Sequence, residues 1–151
     1  MHERPERRER RGGLLMAVPL NAAARALLDG PCFGHLATLM PDGAPKVDPV
    51  WVLREGDRVL VTSDAKSIKI VNTARDARVS LSIVARDDPY DQLLVRGTVV
   101  ERRGDPDLAA LDAFSEKYLG KPFPRRKWSE RVVLVIEPEL ARHYRSKLGD
   151  L

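Results

Sequence analysis

From residue 33 to residue 40 the chain reads FGHLATLM, and neighbouring positions differ in character. Phe33, His35, Ala37 and Leu39 fall on one side of an extended strand and Gly34, Leu36, Thr38 and Met40 on the other, the period of a half-buried strand. PDGAP follows, a turn in which Asp-Gly supplies the positive backbone angle. KVDPVWVL returns as the hairpin partner. Pro49 donates nothing to a ladder, so this strand has an edge, a bulge or an opening there. After the EGD turn come RVLVTS, ARVSLSIVA, QLLVRGTVVERR and finally RVVLVIEPE, which read as four more strands. Three segments have helical spacing instead. In LNAAARALLDGP, Asn21 caps and Gly30-Pro31 terminates. From Lys66 to Arg75 the apolar positions are Ile68, Val71 and Ala74, one face of a short amphipathic helix. In DPDLAALDAFSEKYLG, Asp105 caps, Pro106 occupies the first turn, and Gly120 follows the end. Its stripe of Leu108, Leu111, Phe114, Tyr118 and Leu119 reads as core.

Six strands joined mostly by short turns, with about three helices, predict a mainly β (α+β) fold. The expected form is a six-stranded antiparallel sheet closed into a small barrel, with peripheral helices at its ends. A doubly wound parallel fold needs a helix between every strand pair, and these are missing.

Composition narrows the class. The chain has 151 residues, 43% of them hydrophobic, so one domain is expected over residues 16–151. Residues 1–15 are a basic extension of mixed charge with no apolar run, expected to be disordered and not a secretory signal. The first thirteen residues carry five arginines and three glutamates and thus +2 of the formal +4. The remaining +2 is too weak to argue for nucleic acid. No apolar run reaches the length of a membrane span. The single cysteine, Cys32, excludes an internal disulfide, fits a reducing cytoplasm, and reads as a small core residue.

The chemistry gathers in TSDAKSIK. A helix N-terminus offers unpaired N–H groups and partial positive charge, and anions bind there. Thr62 and Ser63 add hydroxyls at the end of a strand. Lys66 and Lys69 lie one turn apart with Ser67 between them, a spacing that fits a phosphate cradle but on its own more often marks a solvated face. The glycine-rich run of a P-loop is missing. His35, inside a strand, reads as a satisfied structural histidine, and His143 as surface. The three histidines are scattered, so neither a metal site nor a nucleophilic triad is expected.

Four segments in this order, GHLATLMPDGAPKVDPVWV, VLVTSDAKSIKIVNTARDARVSLSI, DDPYDQLLVRGTVVE and KYLGKPFP, resemble the split-barrel flavin-binding family related to pyridoxamine 5'-phosphate oxidase. They look most like its branch of probable deazaflavin (coenzyme F420)-dependent oxidoreductases. The resemblance covers roughly residues 20–140 and implies the FMN-binding split-barrel fold. It implies a cofactor phosphate held by Thr62, Ser63, Lys66, Ser67 and Lys69, with Lys66 as the leading match and Asn72 on the same helix. It places the ring along Lys46, Val47, Asp48, Pro49, Val50 and Trp51. It also implies a cytoplasmic homodimer with the cofactor between subunits, and ring-covering side chains such as Tyr90 and Trp128 from the partner. No catalytic side chain is assigned, because the cofactor carries the chemistry. The expected activity is hydride transfer between F420 and a small organic acceptor. An FMN-dependent oxidase or reductase, and a non-catalytic flavin or deazaflavin carrier, are the alternatives.

Overall fold

A computed structural model describes residues 17–124 and 130–146 of the chain. Asn21 opens α1 (Ala22–Asp29) by accepting from the Ala24 amide at 2.8 Å, and the chain then runs β1 (Cys32–Leu39), β2 (Pro45–Val50), β3 (Val52–Glu55) and β4 (Arg58–Asp64). After α2 (Ile68–Arg75) come β5 (Arg78–Ala85), β6 (Asp88–Gly104), α3 (Ala109–Leu119) and β7 (Arg131–Arg145). All strand pairs are antiparallel, and one sheet forms in the order β2-β1-β5-β6-β7-β4-β3.

The expectation of six strands is corrected to seven. KVDPVWVL is not one strand: it breaks at Trp51, which belongs to neither β2 nor β3. Val50 pairs with Gly34 on β1, while Val52 pairs with Val61 on β4. The two edges of the sheet are therefore one covalent stretch, separated by a single residue or about 7 Å of backbone. The sheet curls until its edges meet at Trp51 and part elsewhere, which is a split barrel. Gly34 permits the meeting, because a Cβ there would lie 2.8 Å from Val52 Cγ1 and 3.3 Å from the Val50 carbonyl.

The strands bury one face inward. Leu36, Val52, Val59, Val61, Leu81, Ile83, Val95, Leu134 and Ile136 fill the barrel, and Leu27 and Leu28 of α1 pack into the same core. Cys32 is in that core, as its surroundings in the sequence suggested. A second cluster lies on the opposite face of β4 and β7, where Phe114 of α3 covers Leu60, Val133 and Val135. Each fully buried Leu or Phe contributes about 1.5–3 kcal/mol.

Two helices differ from expectation. In α2 the buried positions are Ile70, Asn72 and Thr73, while Ile68 and Val71 are about half exposed and Ala74 is exposed. Polar anchors chose the face. Asn72 Nδ2 donates to Thr38 Oγ1 at 3.1 Å, and Arg102 donates to the Ile70 carbonyl and Thr73 Oγ1, both at 3.1 Å. α3 starts three residues later than the Asp-Pro signal indicated, after Leu108 at φ 63°. Asp105 still caps it: its carboxylate accepts from the Ala110 and Leu111 amides at 3.0 and 2.8 Å.

Candidate functional site

β4 ends in Thr62, Ser63 and Asp64, all pointing the chain toward the start of α2, and β7 begins alongside with Arg131 opposite Asp64. That pairing joins residues distant in sequence. It sets Arg131 beside the hydroxyls, and Arg131 Nη2 donates to Thr62 Oγ1 at 3.3 Å. From α2, Lys69 Nζ donates to Ser63 Oγ at 3.2 Å, and Ser63 Oγ donates to Ser67 Oγ at 2.9 Å. Ser67 sits at the N-cap but makes no side-chain cap bond, so its hydroxyl does not occupy the amides of the first turn.

The two cations are under-neutralised. Burial holds the Lys69 ammonium below its ordinary pKa; Asp48 opposes this, while Lys46 and Arg131 add to it. Burial likewise lowers Arg131, against Asp64 and Asp105. The Arg131 Nε–H is shut away from solvent and has no hydrogen-bond partner among the described residues. A buried donor without an acceptor costs about 1–3 kcal/mol, so an acceptor from beyond the described residues would be favoured at this corner. An anion meets the need of both cations.

Beyond this corner a cavity of about 610 Å³ opens, lined by Thr62, Lys69 and Arg131 at its polar side. Its other walls are Phe33, Trp51, Val84, Leu111 and Phe123, with Gly34, His35, Pro49 and Val50 between. Trp51 is fixed by the barrel closure and by aromatic contacts. It stacks on Tyr118 with ring centroids 5.2 Å apart and meets Phe123 edge-on at 6.3 Å. Tyr118 in turn accepts the Val52 amide at 3.1 Å, which satisfies the backbone just past the break in the strand. An anionic head and a broad apolar body would both be accommodated, as a phosphorylated heterocycle requires.

The residues singled out from the sequence divide by position. Pro49, Val50, Trp51, Thr62 and Lys69 line the cavity, and Ser63 and Ser67 bond in series to Lys69. Lys66 is exposed and does not line it; its amide donates to Asp64 Oδ1 at 2.8 Å. Lys46 and Asp48 form an ion pair at 2.6 Å, and Val47 points outward, 62% exposed. Asn72 is buried against Thr38 and Met40 rather than at the cavity. Tyr90 is exposed at the start of β6, and Trp128 lies outside the described residues. His35, read as a satisfied structural histidine, is exposed, lines the cavity and has no hydrogen-bond partner among the described residues. The alternation placed it on the side of Phe33, and that side proves to be the outer one. His143, read as surface, is half-buried and bonds Asp91 at 2.6 Å. Arg131 was missed, since nothing local to SERVVLVI reveals that it will pair against Thr62 and Asp64.

A titration signature follows from Lys69. Its depressed pKa means that, between that value and the ordinary lysine value of 10.5, the unfolded chain binds a proton that the folded chain does not. Stability of the ligand-free protein is therefore expected to gain a favourable contribution from Lys69 as pH rises through this interval. Anion affinity should fall over the same interval, as the ammonium is lost. Urea melts and anion titrations at stepped alkaline pH check both signs; parallel slopes would contradict the assignment.

The family model for pyridoxamine 5'-phosphate oxidase matches residues 20–145. The chain belongs to this family. A solved structure named as an F420 reductase is 31% identical, with a TM-score of 0.73, over 83% of this chain and 98% of that one. A conserved hypothetical protein from Mycobacterium tuberculosis is 24% identical, with a TM-score of 0.66, over 88% and 89%. A pyridoxamine 5'-phosphate oxidase-related, FMN-binding protein from Nostoc punctiforme is 17% identical, with a TM-score of 0.51, over 79% and 76%. No curated protein sequence matches the chain. The split barrel is thus that of flavin and deazaflavin oxidoreductases. Among the described residues no helix is long and apolar enough to cross a membrane, and no cluster of ligating side chains could hold a metal ion.

Proposed function

We propose that this protein is an oxidoreductase that binds coenzyme F420 at the interface of a homodimer and transfers hydride between it and a small organic acceptor in the cytoplasm. The observation that carries the reading is the stranded Arg131 Nε beside Lys69, at the polar end of a cavity whose body is aromatic. The likeness to an F420 reductase at 31% identity supports the deazaflavin over FMN.

When bound, the deazaflavin supplies two-electron hydride chemistry at its ring. The chain supplies position. Lys69, Arg131 and Thr62 would hold the phosphate by charge-assisted hydrogen bonds, with the lysine oriented by Ser63 and Ser67. Phe33, Trp51 and Phe123 would give the ring an apolar seat and keep water from it. Pro49, at the open edge of β2, has no N–H of its own to leave unpaired against the ring. His35 reaches the same cavity with its ring free to exchange hydrogen bonds with a bound acceptor. The dimer has support in what remains uncovered: Ile68 and Val71 on the helix that carries Lys69, and Phe33 and Val47 on the strands beside the cavity, are each about half exposed or more. A second copy would cover them and close the cavity.

Titration of the protein with oxidised F420 and, separately, with FMN tests the reading through quenching of Trp51 and Trp128 fluorescence. Tighter F420 binding is the expected result. Tighter FMN binding would move the protein to flavin chemistry at the same site. Binding of neither would overturn the cofactor assignment.

A further inference from the structure

On β6 and β7 the pairing slips twice, at Arg96/Gly97 and at Val99/Glu101, and the first slip adds a residue to β7. Arg96 faces Leu140 and Gly97 faces Pro138, so Glu139 is an extra residue with nothing opposite it. This is a β-bulge, a device that re-aims one side chain. It is encoded locally: Pro138 has no N–H to give a ladder, and at Gly97 a Cβ would lie 2.1 Å from the Glu137 carbonyl oxygen. The bulge delivers Glu139 into a cavity of about 390 Å³ shared with Arg96, Ser80, Leu39 and Pro45. There Glu139 Oε1 is shut away from solvent and accepts no hydrogen bond. Arg96, in the same cavity, is exposed and does not bond to it. A covered carboxylate oxygen without a donor among the described residues is costly, and a second copy of the chain can bring one.

The same face shows what brings it. Register puts Leu94 opposite Arg142 and Gln92 opposite Tyr144. Leu94 and Tyr144 are 46% and 59% exposed, and Arg142 is exposed with no acidic partner among the described residues. An apolar patch carrying one unpaired carboxylate and two exposed guanidinium groups, Arg96 and Arg142, without an acidic partner among the described residues is complementary to itself. In an isologous dimer each copy offers both kinds of group. Glu139 and Arg142 lie three residues apart on β7, so a two-fold axis over Leu140 and Ala141 sets each against the other's counterpart.

We propose that the bulge makes Glu139 the acceptor for the partner subunit's Arg142, a symmetric pair of ion pairs that fixes the register of the homodimer. This rests on the dimer reading above but not on the identity of the cofactor. Sedimentation velocity of the full chain over a dilution series tests it. Glu139→Gln and Arg142→Glu are each expected to raise the dimer dissociation constant by at least about tenfold, as truncation of a buried pair at an interface does. The exchange variant, Glu139→Arg with Arg142→Glu, should recover most of that loss, which a merely misfolded variant would not do. A wild-type dimer equally strong in all variants would overturn the ion pair and leave the dimer standing. A wild type monomeric at every concentration would overturn both. In that case a rise in melting temperature on adding argininamide, absent from Glu139→Gln, would give the carboxylate to a small cation instead.

Discussion

Replacing Lys69 and Arg131 together by methionine is expected to reduce affinity for F420, or for FMN, by about a hundredfold to ten-thousandfold. Each removes a charge-assisted hydrogen bond worth about 1.5–3 kcal/mol, and 1.4 kcal/mol is a factor of ten. The informative part is the opposite sign in the ligand-free protein. Both cations are partly buried without full compensation, and the Arg131 Nε–H has no acceptor among the described residues. Methionine keeps the stem volume and removes the stranded group. Unfolding of the ligand-free Arg131→Met protein should therefore need as much urea as the wild type or more, by up to about 1 kcal/mol. A site built for an anion trades stability for affinity; an ordinary structural arginine does not. Lys66→Met is the internal control. Lys66 is exposed and outside the cavity, so its removal should change affinity by no more than about threefold, the scale of a solvent-screened charge. Loss of affinity in Lys66→Met equal to that in Lys69→Met would sink this account of the phosphate corner. So would unchanged affinity in the double variant.

Much of this corner could be read from local sequence, and the parts that could not have a common cause. Thr62, Ser63, Ser67 and Lys69 fall within eight residues, where a strand end and a helix start impose their own geometry. Hairpin turns and alternation were similarly local, and they specified nearly all the strands. Trp51 was harder. KVDPVWVL has the pattern of one strand because its residues alternate through the break, and only the demand that both sheet edges share it reveals two. Arg131 depends on β7 pairing with β4 across more than sixty residues of chain, which no periodicity encodes. In α2 the apolar spacing pointed to the wrong face, because Asn72 and Thr73 secure the helix through hydrogen bonds to β1 and Arg102. Ile68 and Val71 are then left out, and an amphipathic pattern with its apolar side exposed is itself a sign of something that covers it. His35 followed the same logic. The alternation separated its side of β1 correctly, but which side meets the core depends on the whole sheet.

The second large effect concerns Gly97. Alanine there is expected to cost at least about 3 kcal/mol, among the larger losses for a single methyl group. The reason is that every atom in the way is backbone. A Cβ at residue 97 would lie 2.1 Å from the Glu137 oxygen, 2.9 Å from its carbonyl carbon and 3.0 Å from Pro138 Cα. No rotamer change relieves such contacts, so β6 and β7 must separate at the bulge, and these two strands form the most extensive pairing in the sheet. Two other glycines calibrate the claim. At Gly34 the nearest atom is the Val52 Cγ1 side chain at 2.8 Å, which can give, so alanine there should cost less. At Gly104 no atom lies within 4 Å, and alanine should be close to neutral. Urea denaturation of the three variants ranks them directly. The order Gly97, Gly34, Gly104 is required; a Gly97→Ala protein within 1 kcal/mol of wild type, the scale of an ordinary surface change, would mean that the bulge is dispensable. The same variant bears on function at one remove. If the strands open at Gly97, Glu139 loses the position that the bulge gives it, and dimerisation should weaken even in the folded fraction. Stability and assembly then fail together in Gly97→Ala, whereas Glu139→Gln weakens assembly and leaves the fold intact.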